Sequence, residues 1–200
     1  MTKQSRFLFS IPYFIWLLLF VVTPLGMIFY KSFFDINGQV TLGNYTNYFA
    51  SRNYLEMTFN SVWYAFLVTL VTLLVSYPTA LFLSRTKHKQ LWLLLIILPT
   101  WVNLLLKAYA FIGIFSQTGT VNNFLSLFGV APQEFLFTDF SFLTVAAYIE
   151  LPFMILPIFN SIEEVPGSLI AASRDLGATK WDTFRRVIVP LSMNGVRSGV

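Results

Sequence analysis

The chain is 200 residues long, 56% hydrophobic and 18% aromatic, with only 11% charged residues and a net charge of +4. A soluble domain of this size carries about a quarter charged residues, so this chain lacks the polar surface to stand in water. It has no cysteine, which excludes disulfides, thiolate nucleophiles, cysteine–zinc sites and iron–sulfur clusters.

The charges are clustered, and residues 7–30 and 57–84 are uncharged throughout. Each run exceeds the about 20 apolar residues that cross about 30 Å of hydrocarbon as a helix. The chain therefore reads as an all-α integral membrane protein, a polytopic helical bundle. A cleaved signal peptide does not account for the first run, because it is too long and ends in "MIFYKSFF", with no small-residue cleavage pattern. Four spans are predicted, at about residues 9–30, 59–83, 91–115 and 140–159. Lys107 interrupts the third and Glu150 the fourth. Pro152 and Pro157 in the fourth predict either a bent, partly unwound helix or a simple packing kink.

Orientation follows from the basic residues of the short loops. With the N-terminus inside, the cytoplasmic segments hold Lys3, Arg6, Arg85, Lys87, Lys89, Arg174, Lys180, Arg185, Arg186 and Arg197, against Lys31 and Arg52 outside. That asymmetry places residues 161–190 in the cytoplasm. Of the two outer segments, residues 31–56 carry turn signals at "NG" and "GN". The second, "SQTGTVNNFLSLFGVAPQEFLFTDF", predicts a short helix along the outer surface.

Little suggests catalysis. His88, in "RTKHKQ", reads as a solvated loop residue. Neither a zinc-protease helix motif nor a phosphate-cradling G-x-x-x-x-G-K-[ST] loop is present, so no enzyme activity, cofactor or nucleic-acid partner is expected. Lys107 and Glu150 carry more information, because ionisable groups within spans face a partner or a cavity. By rise per residue they lie at similar depths. One reading is a structural ion pair; the other is that Glu150 lines a path for a cationic solute, near the ring of Tyr148.

The segment "AASRDLGATKWDTFRRVIVP", residues 171–190, is unlike its surroundings. Leu169, Ala172 and Leu176 recur at helical spacing. Gly177 follows, where a left-handed residue can close a helix. A second short helix is predicted from about Thr179, with Trp181, Phe184 and Ile188 on one side and Lys180, Asp182, Arg185 and Arg186 largely on the other. Pro190 opens the next apolar segment. The hairpin either offers an apolar face to a partner or lies against anionic lipid through its arginines.

The same segment resembles the cytoplasmic loop of ABC importer permeases, whose pattern is E-A-A-x3-G-x9-I-x-L-P. Ala171, Ala172 and Ser173 stand at the E-A-A positions, Gly177 at the glycine, Val187 and Val189 at the I and L positions, and Pro190 at the proline. Ala171 departs from the family's glutamate. "TLGNYTNYF", "FNSVWYAF" and "LPFMILPIFNSIEEVPGSLI" are similar to spermidine/putrescine importer permeases in particular, so the resemblance covers essentially the whole chain. It implies a type I (MetI-like) permease with residues 1–58 as an N-terminal span and outer segment and residues 59–200 as the permease core. It also implies a second permease subunit, ABC ATPase subunits, an extracytoplasmic solute-binding protein and a polyamine substrate. The loop, with Leu169, Ala171, Ala172, Asp175, Leu176, Gly177 and Pro190, would then couple ATP hydrolysis to the spans. Permeases of this type continue for two further spans beyond the loop. This sequence reaches the start of the first, which implies a partial chain. Another small solute, or a secondary transporter without an ATPase, is the alternative; the latter would show a matching pair of interrupted helices in a second half, which is not visible.

Overall fold

The computed structural model describes residues 3–200, with side chains from Ser10 onward. The side chains of Lys3, Arg6 and Phe9 lie outside the described residues. The chain divides into two units, Met1–Val62 and Trp63–Val200.

In the first unit, α1 (Lys3–Leu17) continues through a π-helical turn at Leu18–Val22 into α2 (Thr23–Lys31). The wide turn has a local cause. Pro24 supplies no N–H and its ring crowds the carbonyl four residues earlier. The chain responds by slipping to i→i−5 bonding, in which the Thr23 N–H reaches the Leu18 carbonyl and the Thr23 hydroxyl donates to the same oxygen at 2.7 Å. No described residue of this rod is buried, and Phe20, Ile28, Phe29 and Tyr30 are exposed, as on a helix surrounded by lipid.

The segment after it folds on itself. The expected turn at "NG" forms, with Gly38 at φ +77° and an antiparallel bridge between Phe34 and Val40. The "GN" pair instead starts a helix, α3 (Gly43–Ala50). The Thr41 hydroxyl accepts the Gly43 N–H at 2.9 Å. The Asn44 amide donates to the Ser32 and Phe34 carbonyls at 2.9 and 3.0 Å, so side-chain bonding, not a turn, sets the backbone here.

Next comes α4 (Arg52–Ser84), 33 residues long. It begins well before the expected residue 59 because its first turns are polar and carry an Arg52–Glu56 pair at i,i+4.

The third apolar stretch is not one helix. It forms α5 (Lys89–Ile97), a 3₁₀ turn at Leu98–Trp101 and α6 (Leu104–Phe115). Val102 is extended at ψ 133°, and Asn103 caps α6 by accepting the Leu105 N–H at 2.8 Å. Pro99 begins the break by removing an N–H, and Asn103 completes it by offering a competing acceptor. The expected short outer helix is α7 (Thr120–Ser126). Its Asn122 is buried with every amide function used: it donates to the Ser116 and Gln133 carbonyls and accepts the Gln133 N–H. That one side chain holds the 116–133 loop closed.

The fourth span, α8 (Asp139–Glu163), is continuous despite Pro152 and Pro157. The unwound form is therefore absent, although these prolines cannot return hydrogen bonds to the carbonyls of Tyr148 and Phe153. After α9 (Gly167–Asp175) and α10 (Lys180–Thr183), a second π turn at Phe184–Ile188 leads into α11 (Val189–Gly199). This turn also precedes a proline, Pro190, and is closed by the Val189 N–H on the Phe184 carbonyl.

By length and apolarity, Ser10–Lys31, Arg52–Ser84, Leu104–Ser126 and Asp139–Glu163 can each cross a membrane, and Lys89–Trp101 is a shorter apolar helix. The core of the second unit is built from Ala80 and Leu83 of α4, Met154, Ile155, Ile158, Phe159 and Ile162 of α8, and Ile188. Small residues let α11 approach α8. A β-carbon on Gly195 would overlap the Pro157 carbonyl oxygen and stand 2.7 Å from that of Ser161. Close approach of backbones through small residues is how helices associate where lipid competes equally for apolar surface. The Tyr77 and Ser192 hydroxyls, 2.8 Å apart, add a polar tie across the same core.

Candidate functional site

The α9–α10 hairpin is held by four local devices. The first is the close of α9. Gly177 stands at φ +85°, its N–H bonds the Arg174 carbonyl at 2.9 Å, and the Ala178 N–H bonds the Ser173 carbonyl at 3.0 Å. These are the paired bonds of a Schellman ending, which needs a left-handed residue at this place and so favours glycine. The second is a capping box on α10. The Thr179 hydroxyl accepts the Asp182 N–H at 3.1 Å, and the Asp182 carboxylate accepts the Thr179 N–H at 3.3 Å. The hydroxyl and backbone N–H of Thr179, with Arg186 and Arg185 nearby, hold the Asp182 carboxyl below the usual aspartate range.

The third device joins the two helices. The Ser173 and Thr183 hydroxyls lie 2.9 Å apart, and Thr183 is buried. The fourth anchors the hairpin to the core through Ile170, Phe184 and Ile188. Sequence periodicity put Trp181, Phe184 and Ile188 on one side available to a partner. The structure corrects this, because Ile188 is buried and Phe184 packs inward on Tyr77. The π turn at Phe184–Ile188 changes the angular step along the helix, so ideal helical spacing misjudges which way these side chains point.

With Ile170 and Ser173 turned inward, α9 presents Leu169, Ala172 and Leu176 outward. Leu176 is 89% exposed and Leu169 46%. Ala171 and Asp175 are also exposed. Ala171 therefore leaves no unfilled space or orphaned polar atom on this chain at the position where the family pattern has glutamate. Pro190 lies in the first turn of α11, directly after the π turn that accommodates its missing N–H.

The intramembrane candidates are arranged differently from the ion-pair expectation. Among the described residues the ion pairs are Arg52–Glu56, Lys89–Glu163 and Arg186–Asp182. Lys107 and Glu150 do not pair. Lys107 is half-buried on α6 and Glu150 is exposed on α8. The structure brings Tyr148 against Phe111, edge to face at 5.1 Å. Phe111 is one turn beyond Lys107, so α6 and α8 meet through rings rather than charges.

A cavity of about 550 Å³ opens beside this contact, lined by rings that include Phe111, Phe115 and Phe142 and by the carboxylate-bearing Asp139. The Tyr64 hydroxyl donates to Asp139 and ties α4 to the start of α8. The sequence reading passed over Asp139, whose only local signal was an acidic residue in the first turn of a helix.

No family model matches the sequence. The chain is 39% identical over 194 residues to the spermidine/putrescine transport system permease protein PotB of Escherichia coli, covering 92% of this chain and 70% of that protein. It is 35% identical over 196 residues to PotB of Haemophilus influenzae, covering 93% and 68%. The inner membrane ABC transporter permease protein YdcU of Escherichia coli is 32% identical over 186 residues, covering 82% of this chain and 58% of that one. Among solved structures, a chain of a bacterial alginate ABC transporter, in complex with its alginate-bound periplasmic protein, superimposes with a TM-score of 0.77 at 19% identity, over 96% of this chain and 68% of that one.

Proposed function

The chain belongs to the permease family of spermidine/putrescine ABC transport systems, and from that premise we propose how its parts serve polyamine import. It is a multi-pass inner-membrane permease subunit of an ABC importer. A polyamine crosses along its spans, and a separate ATPase drives the passage from the cytoplasmic side. The N-terminus lies in the cytoplasm, as the charge asymmetry of the loops requires. A second permease subunit completes the path, and an extracytoplasmic binding protein delivers the solute.

The observation that carries the coupling role is the outward apolar face of α9: Leu169, Ala172 and Leu176 stand in solvent on a hairpin whose own contacts are satisfied. A helix that docks in a groove presents anchors at this spacing. The hairpin's links to α4 and α8 through Ile170 and Ile188 give a rigid route from an ATPase surface to the spans.

The test is Leu169→Asp/Leu176→Asp against Arg185→Gln/Arg186→Gln in the full-length transporter. Both leucines are exposed, so the hairpin folds in either variant. The leucine pair should lose ATPase co-purification and solute-stimulated hydrolysis, whereas the arginine pair should retain both. The reverse pattern would make the hairpin a membrane-surface element instead.

Glu150 supports the cationic-path reading more than the ion-pair one, because no cation among the described residues pairs with it. A carboxylate left open within a span suits a polyamine's ammonium groups, and the neighbouring Tyr148 ring adds a cation–π surface.

A further inference from the structure

A second cavity, of about 540 Å³, lies between the C-terminal ends of α4 and α8 and the α9–α10 hairpin. Its walls include the apolar side chains of Leu81, Ile162 and Ile188. Arg85, Arg174 and Lys180 also line it. These three cations come from three separate places: the turn after α4, helix α9 and the first residue of α10. All three are exposed, and it is the tertiary fold, not one element, that brings them to the same opening.

Their electrostatic balance is uneven. The cavity has one carboxylate, Glu163, and Lys89, from outside the lining, already pairs with it. Arg85, Arg174 and Lys180 form no ion pair among the described residues. Like charges gathered around one opening repel one another unless an anion lies between them. Guanidinium forks pair with phosphate oxygens two at a time, and a lysine adds a point charge.

We propose that this cavity binds an anionic phosphate ester, held by Arg85, Arg174 and Lys180. The chemistry fits a phospholipid headgroup whose acyl chains leave along the apolar wall, and it equally fits a free phosphate-bearing solute. Basic pockets at the ends of spans take such headgroups. Once bound, the anion bridges α4 to both helices of the hairpin and stiffens the hairpin's seat.

The experiment uses the full-length protein in its assembled transporter. One arm places it in phosphatidylcholine discs containing phosphatidylglycerol and counts retained phosphatidylglycerol by native mass spectrometry. The other uses pure phosphatidylcholine discs and radiolabelled inorganic phosphate. At least one probe should be retained. Retention should fall at least tenfold in Arg85→Gln/Arg174→Gln/Lys180→Gln and stay within twofold in Lys87→Gln/Arg197→Gln, which removes two basic charges that do not line the cavity. Retention of phosphatidylglycerol alone assigns a lipid headgroup, and retention of phosphate assigns a free anion. Retention of neither probe, or equal retention by the triple variant, overturns the proposal. Should the triple variant fail to assemble, Arg174→Gln alone must lower retention at least threefold while Arg174→Lys lowers it less; no difference between Arg174→Gln and the parent also overturns it.

Discussion

Gly195 of α11 lies directly over the Pro157 carbonyl of α8, with no room between them for a β-carbon. The obstruction is backbone, which cannot swing aside as a flexible side chain would. Gly195→Ala should therefore push α11 off α8 and cost about 1–3 kcal/mol, the usual penalty of overpacking. Gly113→Ala is the control, because a β-carbon there meets nothing within 4 Å. Thermal unfolding of the full-length protein in detergent should show a lower midpoint for Gly195→Ala and no loss for Gly113→Ala. Equal midpoints would mean the two helices do not pack as described.

The capping box makes the start of α10 sensitive to acid. Asp182 is ionised and held by Thr179 in the folded hairpin, which lowers its pKa. A carboxyl lowered on folding adds stability above its unfolded pKa, about 3.9, and loses it as pH falls through the lower folded value. Hydrogen exchange at the Asp182 and Thr183 amides, corrected for intrinsic rate, should show constant protection from pH 7 to about pH 4 and loss below. Asp182→Asn should be less protected at pH 7 and show no further loss in acid. Acid-sensitive protection in Asp182→Asn equal to the parent would assign the effect elsewhere.

Topology can be read with thiol reagents, since the sequence has no cysteine of its own. Ile36 is 97% exposed in the turn after α2, and its side chain makes no structural contact that a cysteine would break. An impermeant maleimide should label Ile36→Cys in intact cells and should leave His88→Cys unlabelled until the cells are opened. The opposite pattern would invert the chain and move the hairpin to the outer face.

Glu150→Gln keeps the shape of the side chain and removes its charge. Polyamine uptake by the full-length transporter should fall about tenfold, the equivalent of about 1.4 kcal/mol. Lys107→Met should neither mimic nor rescue it, because the two residues do not pair. Unchanged uptake with normal membrane insertion would remove Glu150 from the path. Rescue in Glu150→Gln/Lys107→Met would restore the ion-pair account.

Much of this protein was legible along the chain. Uncharged runs located the first and second membrane helices, and an apolar stretch broken only by Glu150 the fourth, because hydrocarbon admits only long apolar segments that satisfy their own backbone. Gly177 marked the close of α9 and the start of α10 was read near Thr179, while the capping box that Thr179 makes with Asp182 came from the structure. The tertiary structure decided what one segment's periodicity cannot. Asn103 divided the third apolar stretch by capping a new helix, and the prolines at 24 and 190 acted through π turns while Pro152 and Pro157 left α8 unbroken. Ser173 met Thr183, and Arg85 came to share a cavity with Arg174 and Lys180, only through contacts between elements. Local pattern records which backbone a segment prefers. Which side chains face each other depends on how helices cross and on where a turn widens, and those angles are set by packing against residues far away in sequence.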